Sequence, residues 1–326
     1  MKRIAACTAF ALVVACATAA VADPILGFST IEVGGPRPLT LTLWYPGRGG
    51  EQDLVAGNAV FEGTAANRDA LLVGDAASLI LVSHGGLRSV SDSGAWLTSA
   101  LARAGHLVVE VNGPRPVTAA QAVDEIWHRP NDIGRALDTI LDTPAWAERI
   151  DHTRISVVGF ALGGTAAITI AGGVIDPQSF VQSCAGGNLG PDCGWYAAQN
   201  VSLGSVDLVN LATSQHDPRV QATVAIAPEY LHAFSNDLSE IVAPILRISL
   251  GPQGGSPVPI DSVLSQISIP TATLFDGFQV CTSAARAILA EDGGDPMLCG
   301  VSTDARRRVH DTIALEVLAF LADRHN

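Results

Sequence analysis

The chain has 326 residues, of which 48% are hydrophobic and 16% are charged, and its formal net charge is −13 at pH 7. Because charged residues usually make up about a quarter of a soluble domain, this composition predicts that much of the chain is buried. The acidic balance excludes nucleic acid as a partner, since phosphates require a basic face. The length allows one large α/β domain or two small ones, and we interpret it as one domain with an insertion.

The N-terminal segment has the pattern of an export signal. Lys2 and Arg3 precede an apolar run over residues 4–20, and Ala20-Val21-Ala22 forms an A-x-A cleavage site. We therefore expect a signal peptide over residues 1–22, no membrane span in the mature chain, and export to the periplasm or the extracellular space. An alternative interpretation is a lipoprotein box in which Cys16 is lipidated and anchors the protein.

The remaining chain, residues 23–326, begins with strand signals. Residues 25–33 and the alternating run at residues 39–45 predict an antiparallel hairpin that starts a sheet. Residues 48–75 are rich in Gly, Ala and Asn without a clear period, and we interpret them as irregular.

Strands and helices then alternate. Short apolar runs predict strands at residues 78–83, 107–111, 155–160, 220–227, 244–249 and 271–275. Helical spacing predicts helices at residues 93–104, 131–141 and 303–324, together with one that follows the turn at residue 161. This alternation is typical of a mostly parallel, doubly wound sheet covered by helices on both faces.

A segment of about residues 174–218 interrupts the alternation. It is rich in Gly, Asn and Ser and contains Cys184 and Cys193. We interpret it as a cap over the carboxyl ends of the strands, where ligands bind in such sheets.

Four cysteines lie outside the predicted signal, and an even number in an exported chain predicts disulfides. Proximity favours Cys184 with Cys193 and Cys281 with Cys299, although the sequence leaves the connectivity open. No C-x-x-C pair is present, and the histidines show no metal-binding spacing, so we expect no metal and no cofactor.

A glycine-bracketed turn ends the strand at residues 155–160. Gly159 and Gly163 stand where the motif G-x-S-x-G has its glycines, and the central position is Ala161. In that motif, a serine on a tight turn between a strand and a helix is the nucleophile. The sequence therefore predicts a nucleophile elbow that lacks its nucleophile.

The order of several short motifs resembles a known family. The motifs are Trp44-Tyr45-Pro46, Ser83-His84-Gly85, Arg129-Pro130 with Asp132, the elbow, Asp217-Pro218-Arg219-Val220, and the late cysteine pair. Together they resemble the predicted dienelactone hydrolases, secreted α/β-hydrolases related to platelet-activating-factor acetylhydrolases. This resemblance implies an α/β-hydrolase fold and an esterase design with a Ser, His and acid triad.

The same resemblance implies where the parts of the site should lie. The backbone N–H groups of Gly86 and Leu162 stand where the family places its oxyanion hole. The family also expects an acid after the strand that ends near Ser249 and a histidine shortly before Cys281. This chain has neither at those places: Asp261 follows only later, where we expect it to be a helix N-terminal charge, and no histidine occurs between His232 and His310.

Three hypotheses follow from these losses. The first is an exported pseudo-hydrolase that binds a small ester-like or carboxylate-like ligand without cleaving it. The second is an active carboxylic-ester hydrolase with rearranged catalytic residues. The third is an interaction module that contacts another exported protein.

Overall fold

The computed structural model describes residues 24–74, 77–87, 89–185, 192–252 and 259–324. The predicted signal peptide and Cys16 lie outside these ranges. No helix in the described part of the chain is both long and apolar enough to cross a membrane.

Eleven strands are present in the described ranges. They are β1 (Ile25–Val33), β2 (Leu39–Arg48), β3 (Glu51–Val55), β4 (Thr64–Arg68), β5 (Leu71–Leu72), β6 (Ala77–Ser83), β7 (Leu107–Asn112), β8 (Ile150–Phe160), β9 (Ala222–Ile226), β10 (Ile245–Leu250) and β11 (Leu264–Ile269). They form one sheet in the order β11-β10-β9-β8-β6-β7-β2-β1-β4-β3, with β5 paired to β2. The six strands from β6 to β11 pair in parallel with one another, whereas β1 and β2 pair antiparallel and β2 joins β7 antiparallel.

Ten α-helices accompany the sheet in the same ranges. They are α1 (Ala95–Arg103), α2 (Ala119–Ala122), α3 (Glu125–Asp142), α4 (Pro144–Ala147), α5 (Leu162–Ile170), α6 (Pro177–Gln182), α7 (Cys193–Ala198), α8 (Leu208–Ala212), α9 (Ala285–Glu291) and α10 (Thr303–Arg324). The predicted mixture of parallel strands and helices is confirmed.

The core lies on both faces of the sheet because successive side chains of a strand point to opposite sides. In β6, Ile80 and Val82 pack with α1 and α10, whereas Leu79 and Leu81 pack with α3 and α5. Strands buried on both faces consist of nearly continuous apolar residues, which explains the low charge content of the chain.

Two sequence predictions for individual elements are wrong. Residues 48–75 were expected to be irregular but contain β3, β4 and β5, where β3 and β4 form a hairpin against β1. The last strand was expected at residues 271–275 but is β11, which is followed by a turn and a short 3-10 helix at Leu274–Gly277. The β11 sequence is more polar because it lies at the edge of the sheet and is only partly covered.

The predicted helix at residues 131–141 is longer than expected. Helix α3 begins at Glu125 and contains Pro130 in its interior. An ion pair of 3.4 Å joins Glu125 to Arg129 one turn later and stabilises this added N-terminal part.

The segment predicted as a cap contains α6, α7 and α8, apart from residues 186–191, which lie outside the described ranges. Phe180, Tyr196 and Leu211 from this segment pack in one cluster with Leu162 and Tyr230. These described parts of the segment therefore pack against Leu162 at the start of α5, directly beside the turn at Ala161.

Both disulfides join cysteines that are close to each other in the sequence, as predicted. Cys184 is bonded to Cys193 and Cys281 to Cys299. Phe61, from the loop between β3 and β4, forms an isolated β-bridge with Cys281, and it packs on the second disulfide. The chain before β4 is thereby attached to the loop that precedes α9.

Candidate functional site

The turn between β8 and α5 has the strained geometry of a nucleophile elbow. Ala161 has φ of 55° and ψ of −123°, a conformation that residues with a side chain rarely adopt. Its N–H donates to the carbonyl of Ile226 at 3.0 Å, and its carbonyl accepts from Gly164 at 2.9 Å and from Thr165 at 3.2 Å. These bonds hold the backbone of the elbow although the side chain is only a methyl group.

Gly159 and Gly163 make this turn possible because other backbone atoms pass very close to them. A Cβ atom on Gly159 would lie 1.9 Å from the carbonyl oxygen of Gly163. A Cβ atom on Gly163 would lie 1.9 Å from the carbonyl oxygen of Ser83, at the end of β6. Only glycine fits at either position, so both glycines are required for the geometry of this turn.

The two predicted oxyanion-hole residues lie near this turn. Leu162 is the first residue of α5, where backbone N–H groups have no partner within the helix. Gly86 follows β6, and the Arg129 guanidinium accounts for the orientation of its loop. Arg129 donates through Nη1 to the carbonyl of Gly85 and through Nη2, at 2.8 Å, to the carbonyl of Gly86. That Gly86 and Leu162 act together as an oxyanion hole stays a prediction.

His84 is buried between the end of β6 and the loop before Cys281. Its Nε2–H donates to the carbonyl of Gly277 at 2.9 Å, and its Nδ1 accepts from the Ser93 hydroxyl at 3.2 Å. Its ring stacks on Phe160, with 4.8 Å between ring centroids. Burial lowers the pKa of His84 to about 3, and nearby His310 and Arg129 add to this shift. The imidazole is therefore neutral at physiological pH.

The loop in which the resemblance expects a catalytic histidine is fixed by its backbone carbonyls. The carbonyl of Gly277 accepts from His84 and, at 3.0 Å, from Nε1 of Trp96. Nε2 of His310 contacts the carbonyls of Asp276 at 2.9 Å and of Phe278 at 3.0 Å. His310 is buried, and its ring stacks on Trp96 with 3.8 Å between ring centroids.

A cavity of about 430 Å³ lies between this loop and Gly86. This volume falls within the range of about 300–1,000 Å³ that is typical of small-molecule pockets. Its wall includes the apolar side chains of Phe61, Leu87, Val90, Leu274, Phe275, Phe278 and Leu298. Its polar residues include Ser89, Ser93, Arg115, Asp192, Glu229 and Gln279. Phe275 and Phe278 of this wall belong to the loop in which the resemblance expects a histidine.

Glu229 is a residue of this cavity that the sequence analysis missed. Its carboxyl lies beside Gly86, since a Cβ atom on Gly86 would be 3.7 Å from Oε1 of Glu229. Its Oε2 is inaccessible to solvent and has no hydrogen-bond partner among the described residues. Burial raises the pKa of Glu229 to about 8; the carboxylate of Asp192 adds to the shift and Arg129 opposes it. At neutral pH this side chain is a neutral acid.

The backbone around Glu229 connects it to the elbow. Its N–H donates to the carbonyl of Ala161 at 3.4 Å, and its carbonyl accepts from the Thr165 hydroxyl at 2.6 Å. The signal that could have revealed it is its position, because it follows β9 at the carboxyl end of a parallel strand, where ligands bind.

The predicted acid position is partly outside the described residues, since residues 253–258 are not among them. Asp261 lies in a 3-10 helix, Pro259–Val263, and forms an ion pair with Arg247. It does not line the cavity. Asp261 therefore has a structural role in the described part of the chain. Within the described ranges, no group of three His, Cys, Asp or Glu side chains is arranged to hold a metal ion.

No protein-family model matches the chain, and no curated protein matches it. Among solved structures, a ferulic acid esterase from Streptomyces cinnamoneus is similar, with a TM-score of 0.56 and 18% sequence identity over 90% of this chain and 89% of that one. The chain has the α/β-hydrolase fold. This part of the predicted resemblance is confirmed, whereas the relationship to dienelactone hydrolases stays a prediction. At 18% identity the similarity establishes the fold of this protein, and it does not establish the reaction.

Proposed function

We propose that this α/β-hydrolase-fold protein is an exported pseudo-hydrolase that binds a small ester-like or carboxylate-like ligand without cleaving it. The observation that carries the proposal is the combination of an intact elbow backbone with Ala161 at its centre. A methyl group cannot attack a carbonyl, yet the strained turn and its two glycines remain. The segment at residues 174–218 acts as the cap of the binding site.

The surroundings of the elbow support this interpretation. Phe275 and Phe278 line the cavity where a triad needs a mobile base, and His84 is fixed as a neutral imidazole. The apolar wall can hold the hydrocarbon part of a ligand, and the N–H of Gly86, which lines the same cavity, can donate to its carbonyl oxygen. The two disulfides fit an oxidising compartment, as does the signal peptide that we predict over residues 1–22.

The proposal predicts that Ala161→Ser does not create an esterase. A serine without a general base lacks about 10²-fold to 10⁴-fold of rate acceleration. We expect both the parent and Ala161→Ser to hydrolyse p-nitrophenyl acetate and p-nitrophenyl butyrate within about tenfold of the blank.

The assay compares the purified mature parent with the variant under the same conditions, and circular dichroism checks that both are folded. Turnover by the parent far above the blank would refute a pseudo-hydrolase. Strong activity of Ala161→Ser alone would show that a functional base and acid remain.

A second candidate is an ester hydrolase with relocated residues, and one contact favours it. Ser93 lines the cavity, its hydroxyl is bonded to Nδ1 of His84, and Nε2 of His84 is oriented by the carbonyl of Gly277. In that reaction Nδ1 would take the hydroxyl proton while Oγ attacks the ester carbonyl. The low pKa of His84 opposes it, because a base must hold the proton during the attack.

Ser93→Ala separates the two candidates. If the parent shows esterase activity from this pair, the variant should lose at least about 10²-fold in kcat/KM. Ser91→Ala is the matched control, since Ser91 is exposed and does not line this cavity. Equal rates of parent, Ser93→Ala and Ser91→Ala remove Ser93 as a nucleophile.

A further inference from the structure

The carboxyl of Glu229 belongs to the cavity wall and lacks a hydrogen-bond partner among the described residues. Oε2 is shielded from solvent and has no partner among the described residues, and Oε1 lies near Gly86. A buried carboxyl that lacks one hydrogen bond carries a cost in free energy that a new hydrogen bond to the group can offset. Glu229 lines the same 430 Å³ cavity as Gly86, Phe275 and Phe278, so a molecule in that cavity can meet the carboxyl on the side of Oε1, the oxygen beside Gly86.

The charged and titratable groups around Glu229 favour a neutral carboxyl. Asp192, from the segment at residues 174–218, repels a negative charge at this place, whereas Arg129 on α3 attracts one. Arg129 is already bonded to the carbonyls of Gly85 and Gly86 and paired with Glu125. Two further titratable groups, the phenols of Tyr196 and Tyr230, interact with Glu229, and burial raises the pKa of both, so they stay uncharged.

We propose that Glu229 recognises the ligand: its carboxylic acid donates a hydrogen bond to the carbonyl oxygen of a neutral ester, whose hydrocarbon part lies against the phenylalanine wall. The inference rests on the proposed ligand-binding function and names the class of ligand. A neutral ester is favoured over the corresponding carboxylate because two acidic side chains, Asp192 and Glu229, line the cavity against one basic side chain, Arg115, among the described residues. No bond in the ligand is formed or broken.

This assignment makes binding depend on pH in a defined direction. Burial raises the pKa of Glu229 to about 8, so below that pH the carboxyl carries its proton and donates. Above it, the carboxylate has no proton to donate and repels the carbonyl oxygen. If only the protonated form binds, affinity for a neutral ester falls about tenfold between pH 6 and pH 9.

The test is isothermal titration calorimetry with methyl cinnamate at pH 6 and pH 9, because this ester has an aromatic group and no titratable group. We expect wild-type protein to bind about tenfold more weakly at pH 9. Glu229→Gln should bind equally at both pH values, since its amide donates at any pH. Glu229→Leu should bind at least about tenfold more weakly than wild type at pH 6.

Glu110→Gln is the matched control. Glu110 is also a buried acid with a raised pKa, but its Oε1 accepts from the N–H of Gly94 at 2.7 Å, and it does not line the cavity. This variant should keep the wild-type pH dependence of binding. Thermal unfolding of each variant at both pH values shows that the protein is folded in every titration.

The outcomes separate the inference from the function on which it rests. If Glu229→Gln keeps the tenfold loss at pH 9, Glu229 does not recognise the ligand, although the protein still binds esters. If cinnamate binds as tightly as methyl cinnamate at pH 6, the preference for a neutral ester is wrong. If wild-type protein binds neither compound at millimolar concentration, both the inference and the proposed ligand class fail.

Discussion

Replacing Gly163 by alanine is expected to lower the free energy of unfolding by about 3 kcal/mol or more. The new Cβ atom would lie 1.9 Å from the carbonyl oxygen of Ser83 and 2.6 Å from its carbonyl carbon. Both clashes are with backbone atoms at the end of β6, which is buried and paired with β7 and β8. Relief therefore requires the central strand or α5 to move, and neither can do so without opening the core.

Chemical denaturation followed by circular dichroism measures this effect. Gly134→Ala is the matched control, since Gly134 lies inside α3 and a Cβ atom there has open space around it. That variant should gain about 0.5–1 kcal/mol from the better helix propensity of alanine. A loss of less than about 1 kcal/mol in Gly163→Ala would mean that the backbone at Ser83 can move away from residue 163 at little cost in free energy.

Replacing Arg306 by leucine is expected to lower the free energy of unfolding by about 3–5 kcal/mol. The Arg306 side chain is fully buried in α10 and forms an ion pair of 3.6 Å with Asp276. It also donates to the carbonyl of Gln279 at 2.7 Å and to that of Leu298. Removing the guanidinium takes the ion-pair partner from the Asp276 carboxylate, to which Thr273 still donates, and takes the donor from the carbonyls of Gln279 and Leu298.

Thermal unfolding under oxidising conditions measures this change, and a loss of about 3–5 kcal/mol corresponds to roughly 5–8 °C in Tm for a domain of this size. The control is Arg307→Leu, because Arg307 is half-exposed and pairs at the surface with Glu62. Surface pairs contribute about 0–1 kcal/mol, so this variant should remain close to the parent. Similar Tm values for the two variants would contradict the central role of Arg306.

Much of the parallel sheet could be predicted from the sequence, because buried strands such as β6 and β7 are short runs in which apolar residues predominate. The hairpin of β3 and β4 could not. Its residues alternate weakly, and its pairing with β1 depends on contacts that are distant in sequence. The strand β11 was misplaced for a related reason, since an edge strand such as Leu264–Ile269 keeps polar residues that hide its period.

The candidate site also has parts that the sequence predicts and parts that it does not. The backbone of the elbow was predictable, because glycines at positions 159 and 163 indicate that other backbone atoms pass close to the chain there. Glu229 was not predictable in the same way. Its surroundings include Asp192, Tyr196 and Tyr230, which the fold brings together from separate parts of the chain. A raised pKa is a property of that assembled environment, and a single glutamate after a proline carries no such signal.

The carbonyls of Asp276, Gly277 and Phe278 have a consequence for any attempt to rebuild catalysis. All three are bonded to side chains from α1, α10 or the end of β6. In addition, a Cβ atom at Gly277 would lie 2.1 Å from the ring of Phe160. A histidine introduced into this loop would therefore be attached to a backbone whose orientation these contacts already fix. If a histidine were to act as a base in the proposed pseudo-hydrolase, His84, Trp96, Phe160 and His310 would have to be redesigned together, because these side chains hold the loop; Ala161→Ser alone would not move it.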